Sequence, residues 1–171
     1  VNEILQTIQK NVPLLSHMSA LQFREFMIDS TIHRVKKEDV IFLRNDYTNS
    51  VYSIVEGSVS ALINPDDASE RVKLKKGSFF GEMGLIAGRR RTATIVANED
   101  SFLVETPRRA MLRLINSVPG SKKVLDTAAI YRQIQTHLAP SIEKELLKDI
   151  VETAMVKSLS AGDILINQGD D

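Results

Sequence analysis

Cysteine and tryptophan are both missing from the 171 residues. Without cysteine there is no disulfide, no thiolate metal site and no cysteine nucleophile; the composition fits a reducing compartment, and a cytoplasmic location is the expectation. Net charge is missing too, because 22 Lys and Arg balance 22 Asp and Glu. Nothing in the bulk charge therefore points to nucleic acid or an acidic membrane face as a partner. No apolar run approaches the roughly 20 residues needed to span a bilayer. Val1-Asn2-Glu3-Ile4 has neither the basic start nor the apolar stretch of a signal peptide. The chain does not open on methionine, from which an excised piece of a longer protein is expected. His17, His33 and His137 are scattered without metal-ligand spacing, and there is no Gly-x-Ser-x-Gly elbow, no Walker-type Gly-Lys-Thr and no triad. No metal, cofactor or catalytic residue is expected.

What is present is an ordinary core-forming composition, 43% hydrophobic, enough for one good core and part of a second domain. Ile4, Leu5, Ile8 and then Leu21, Phe23, Phe26, Met27 recur at helical spacing, with Pro13 between two helical pieces. Beyond Ile32 the pattern shortens to β-rich runs: 40–43, 51–55, 59–63, 72–74, 92–96 and 102–104. Turn chemistry separates them, including Asn45-Asp46, Glu56-Gly57, Asn64-Pro65-Asp66-Asp67 and Lys76-Gly77. Many short strands joined by close turns predict a small β-roll. After Pro107 the helical period returns in Ala110, Met111, Leu114 and Ile115, breaks at Pro119-Gly120, and resumes over 124–138.

The most informative run is Phe80-Gly81-Glu82-Met83-Gly84-Leu85, followed by a loop and Arg91-Thr92-Ala93. A planar guanidinium suits a phosphate anion, backbone amides after Gly81 can face the same anion from a short helix start, and the Glu82 carboxylate can accept a sugar hydroxyl. Three arginines in a row are usually a solvated charge run, and Arg89 and Arg90 read so. Arg91 opens a strand-like stretch nine residues after Glu82, which singles it out as the anion ligand. Gly81 and Gly84 would permit close backbone approach to a ligand, or merely a turn. Val59, Ala61 and Ile63 alternate, and with Val72 and Leu74 they could wall an apolar pocket for a flat ring; ordinary core packing is the alternative for each.

This run resembles the phosphate-binding cassette of cyclic-nucleotide-binding domains, which reads Phe-Gly-Glu, a small residue, Leu, a loop, then Arg, a small residue and Ala. The counterparts here are Phe80, Gly81, Glu82, Gly84, Leu85, Arg91, Thr92 and Ala93, with Met83 inside the run. Tyr52-Ser53-Ile54-Val55-Glu56-Gly57-Ser58-Val59 is similar to the family's hairpin, and Leu74-Lys75-Lys76-Gly77-Ser78-Phe79-Phe80 to its lead into the cassette. The resemblance implies an α+β fold, an eight-stranded jelly-roll-like β-roll flanked by N- and C-terminal helices. It implies a regulatory module whose ligand is a cyclic nucleotide, with Arg91 on an exocyclic phosphate oxygen. Thr92 permits cyclic GMP without demanding it, and cyclic AMP is favoured. The segment 128–134 looks like the final helix of hyperpolarisation-activated channel domains, so Tyr131 or Arg132 would cap the base, unless they are surface residues of a linking helix. The implied partner is an effector domain or protein, a kinase catalytic subunit among the options.

An offset of 124 residues superposes the C-terminal segment on the N-terminal one: Leu138 on Leu14, Leu147 on Phe23, Asp163 on Asp39, Ile164-Leu165-Ile166 on Val40-Ile41-Phe42. Residues 1–137 are accordingly expected to form one cyclic-nucleotide-binding domain and 138–171 to open a second, truncated copy. In the first copy Glu38 and Asn45 stand where the family's first hairpin has glycine. Three other readings compete: the ligand-binding part of a catabolite-activator-type transcription regulator, a cupin-like metalloenzyme, and a degenerate scaffold that binds protein and no nucleotide.

Overall fold

The computed structural model describes residues 2–64, 66–85 and 90–133. The chain divides into two compact units, Val1–Lys122 and Lys123–Asp171. The first opens on three helices, α1 (Asn2–Asn11), α2 (Pro13–Ser16) and α3 (Ala20–Ile28). Pro13 sits at the first turn of α2, where its missing N–H costs nothing. Ser19 caps α3 through a reciprocal box: its hydroxyl accepts from Gln22 N at 3.2 Å while the Gln22 side chain accepts from Ser19 N at 2.9 Å.

Eight strands follow: β1 (Thr31–Val35), β2 (Val40–Phe42), β3 (Val51–Glu56), β4 (Ser58–Asn64), β5 (Asp67–Lys75), β6 (Phe79–Phe80), β7 (Thr94–Ala97) and β8 (Ser101–Thr106). They form two four-stranded antiparallel sheets, ordered β1-β8-β3-β6 and β2-β7-β4-β5. This is the eight-stranded roll with flanking helices that the resemblance implied. Sequence periodicity alone reached six of the strands. The strand after Arg91 begins at Thr94 rather than Thr92, because the Arg91 backbone is bonded to the β2–β3 loop instead of a ladder: Arg91 N donates to Asp46 O at 3.0 Å and Asn45 N to Arg91 O at 2.8 Å. Glu38 and Asn45, the two residues standing at expected glycine positions, are the non-glycine residues with positive φ, 71° and 73°.

Phe42, Tyr52, Ile54, Val59, Phe80, Ile95 and Leu103 form a core cluster with members from both sheets, and Val35, Ile41, Ala61 and Leu74 pack against it. β3 is buried from Val51 to Val55. Asn11 at the end of α1 donates to the Val55 carbonyl at 3.2 Å. After β8 comes α4 (Arg108–Ser117), which buries Ala110, Met111 and Leu114, the stripe read from sequence. Asp29, just past α3, is ion-paired with Arg109 and Arg113 of α4. α4 stops at Val118, and the Ser121 hydroxyl donates to the Val118 carbonyl at 2.7 Å. α5 (Ser121–Gln133) begins three residues earlier than expected; its predicted end at Leu138 and the second copy over 138–171 lie outside the described residues.

Candidate functional site

Gly81 ends β6 with φ of +82°, a left-handed conformation that glycine adopts without steric cost. The chain then makes a 3-10 turn over Glu82–Leu85, closed by Gly84 N donating to Gly81 O at 3.0 Å. Glu82 and Gly84 are buried in this turn, and Met83 and Leu85 are half-buried. Residues 86–89 lie outside the described residues, and Arg91 follows them back to the turn. Its guanidinium reaches back to the start of the turn, where Nη1 donates to Gly81 O at 3.1 Å. Nη2 donates to Ser50 O at 2.7 Å and Nε to Thr48 Oγ1 at 2.7 Å. The cation also lies 4.1 Å from the centroid of the Phe42 ring.

Close approach explains both glycines. A Cβ on Gly81 would stand 2.6 Å from Arg91 Nη1 and 2.9 Å from Ser50 O; one on Gly84 would stand 3.0 Å from the Asn49 Cα and 3.1 Å from Nη1. The turn reading holds at Gly81, and the close approach seen there is to Arg91 and Ser50.

Arg91 is only 4% exposed. Burial presses its pKa below the ordinary arginine value, and Tyr52, Glu105, Glu82 and Asp46 oppose that effect electrostatically. The guanidinium stays charged, as arginine does. Three of its five N–H donors are used by protein acceptors among the described residues, which leaves one on each terminal nitrogen for an anion.

The other expected residues fall into four groups. Phe80 is a core residue, stacked on Tyr52 with centroids 5.1 Å apart and 5.9 Å from Phe42. Thr92 is exposed and Ala93 half-buried. Ala61 pairs with Val72 across β4 and β5 and with Ile95 across β4 and β7, while Leu74 pairs with Val59. Ala61 and Leu74 therefore lie against the same cluster that holds Phe42 and Phe80, next to the guanidinium; Val72 is half-buried. The side chains of Ile63, Tyr131 and Arg132 lie outside the described ones, although all three belong to regular elements, β4 and α5.

Sequence reasoning missed the residues that hold Arg91. Thr48 and Ser50 sit more than forty positions before it, in a loop whose polar composition reads only as a turn. Glu105 on β8 was also missed. It accepts from His33 Nε2 at 2.6 Å and stands directly across from Tyr52 in the β3–β8 pair. Burial works to raise its pKa, and the hydrogen bonds from Ser50, His33 and Tyr52 outweigh that, so its carboxyl sits below the usual value. Tyr52 is pushed up to about 12, first by burial and then by the Glu105 charge and hydrogen bond. Arg108, the first residue of α4, donates through Nε to the carbonyl of Leu85 at 2.9 Å, tying that helix to the end of the turn.

A β-roll that buries an arginine against a glycine-opened turn presents a site for an anion. A model of the cyclic nucleotide-binding domain matches residues 32–118, and the chain belongs to that family. The chain is 34% identical over 131 residues to human cyclic nucleotide-gated channel beta-1, covering 71% of this chain and 10% of the channel. It is 30% identical over 136 residues to the cGMP-dependent protein kinase of Plasmodium berghei, covering 76% of this chain and 15% of the kinase. It thus spans about a tenth to a seventh of the length of these relatives. Among solved structures, PKAR CBD2 bound to Sp-2Cl-cAMPS superposes with a TM-score of 0.63 at 17% identity, covering 80% of this chain and 90% of that one; at that identity the likeness is one of fold. No helix among the described residues is long and apolar enough to cross a membrane.

Proposed function

We propose that residues 1–137 form a sensor for a cyclic nucleotide in which Arg91 takes the cyclic phosphate and Glu82 the free ribose hydroxyl. The observation that carries this is the seating of the Arg91 guanidinium on the Gly81 carbonyl, at the head of the turn that buries Glu82. Family membership supplies the ligand class. Phe80, Gly81, Met83, Gly84, Leu85, Thr92 and Ala93 complete the cassette. Ala61, Ile63, Val72 and Leu74 are proposed as the wall for the base, with Tyr131 or Arg132 as the cap. Cyclic AMP is proposed over cyclic GMP; an exposed Thr92 leaves either base admissible.

Binding is itself the output, and no catalysis is assigned to the domain. The bond from Arg108 to Leu85 supports a route by which a change in the cassette moves α4, with Pro119-Gly120 as hinge. Ligand shifts such an equilibrium only by its difference in affinity between the two arrangements. The receiver of that shift is proposed to be an effector domain or protein in the cytoplasm, a kinase catalytic subunit being one option, and 138–171 is proposed to open a second copy of the domain. Arg91→Ala tests the assignment by titration calorimetry. Loss of a charge-assisted pairing of about 1.5–3 kcal/mol should weaken cyclic-nucleotide binding roughly 10- to 150-fold. An unchanged dissociation constant would remove Arg91 from the site.

A further inference from the structure

Among the described residues, the acceptors that hold Arg91 are all neutral: a threonine hydroxyl and two backbone carbonyls. A buried guanidinium with neutral partners needs a carboxylate close by, or its desolvation goes uncompensated. Three carboxylates act on it electrostatically, those of Glu105, Glu82 and Asp46. Asp46 is turned to its own loop, accepting from Leu43 N at 2.9 Å. Glu82 is assigned to the ligand. Glu105 differs from both, because it stands beside the segments that present the two carbonyls to Arg91.

One of those segments is Ser50. Its hydroxyl draws the Glu105 pKa down while its own carbonyl accepts Arg91 Nη2. The other is reached through Tyr52, which faces Glu105 across the β3–β8 pair and whose ring stacks on Phe80, the residue before the Gly81 carbonyl that accepts Nη1. Strand register reinforces the arrangement, since Tyr52 is the direct partner of Glu105 on one side and of Phe80 on the other. His33 closes the carboxylate from β1 at 2.6 Å.

We propose that Glu105 is a positioning residue for the anion site, holding through Ser50 and Tyr52 the two carbonyls that orient Arg91, and supplying a half-buried counter-charge that Arg91 lacks among its direct partners. The affinity consequence rests on the cyclic-nucleotide reading; the orientation of Arg91 does not.

The test uses the full chain, as wild type, Glu105→Gln, Ser50→Ala and Tyr52→Phe, with cyclic AMP and cyclic GMP as probes. Glu105→Gln keeps size and an acceptor oxygen, so a variant that still melts cooperatively reports the charge. It should bind both nucleotides at least fivefold more weakly, by the same factor for each, because the defect is at the shared phosphate. Ser50→Ala and Tyr52→Phe should each show a smaller loss in the same sense, and they decide the matter if Glu105→Gln does not fold. Independently of ligand, the Arg91 Nε–H signal in a ¹⁵N spectrum, assigned with Arg91→Lys, should exchange slowly with water in wild type and broaden or vanish in Glu105→Gln. Affinities within twofold of wild type with the Nε–H signal unchanged would overturn the proposal. If wild type binds neither nucleotide, the sensor reading fails on its own, and the Nε–H comparison still decides whether Glu105 positions Arg91.

Discussion

Replacing Gly81 by alanine perturbs backbone and arginine together, and Gly120 offers the control that separates them. Both residues have left-handed φ, +82° and +80°. An added Cβ at Gly120 meets nothing within 4 Å, whereas at Gly81 it comes to 2.6 Å from Arg91 Nη1 and 2.9 Å from Ser50 O. Each alanine carries the left-handed cost, about 1–2 kcal/mol for an L-residue. Gly81→Ala must also drive the guanidinium from the Gly81 carbonyl, losing a charged hydrogen bond of about 1.5–3 kcal/mol. The expected totals are about 1–2 kcal/mol for Gly120→Ala and roughly 2.5–5 kcal/mol for Gly81→Ala. With about 2–4 °C of Tm per kcal/mol at this size, the melting points fall by roughly 2–8 °C and 5–20 °C. Differential scanning calorimetry without added nucleotide reads the stabilities, and chemical denaturation checks the difference. Equal destabilisation of the two variants would refute the close-packing argument, because it would mean that Arg91 yields at no cost.

The remaining predictions concern titration and capping. Glu105 has a folded pKa below its unfolded value, so its contribution to stability is complete above the unfolded pKa and is lost as pH falls through the lower folded one; urea melts below pH 4.5 should show a shallower acid loss in Glu105→Gln than in wild type. Tyr52 has the opposite sense: its folded pKa is raised from 10 to about 12, so its contribution is complete below pH 10 and disappears as pH rises toward 12. Ultraviolet titration should find one tyrosine ionising near pH 12 that is absent from Tyr52→Phe, and a tyrosine count unchanged by that substitution would contradict the assignment. Ser19→Ala should cost about 1 kcal/mol by removing one arm of the capping box on α3, measured by denaturant melts.

The fold was most legible where β-branched residues alternate between clear turns, as in β3 and β4, and where α4 carries its apolar stripe. It was least legible where an edge position removed the signal. β5 runs over Asp67–Lys75, but only its 72–74 portion reads as a strand, since Ser69, Glu70 and Arg71 belong to a strand at a sheet edge, paired on one side only. β6 is two residues long, too short for any period, and β1 holds His33 and Arg34 at its centre. The cassette was legible because its chemistry is local: glycine, carboxylate and arginine fall within twelve residues, 80–91. Its supports were not, because each depends on register between distant strands. Glu105 meets His33 from 72 positions away, and Thr48 meets Arg91 from 43. No periodicity in a single chain encodes those meetings; they follow only once β1, β8 and β3 are laid side by side.

The central claim is that this roll answers a cyclic phosphate. Titration calorimetry with cyclic AMP, cyclic GMP and 5′-AMP tests it most directly, since 5′-AMP keeps base and sugar and opens the phosphate ring. Saturable binding of a cyclic nucleotide near one per chain is the expected result, tighter for cyclic AMP, with no comparable heat from 5′-AMP. Folded, nucleotide-free protein giving no heat with either cyclic ligand would contradict it, and would leave Arg91 as a structural arginine in a roll that binds protein instead.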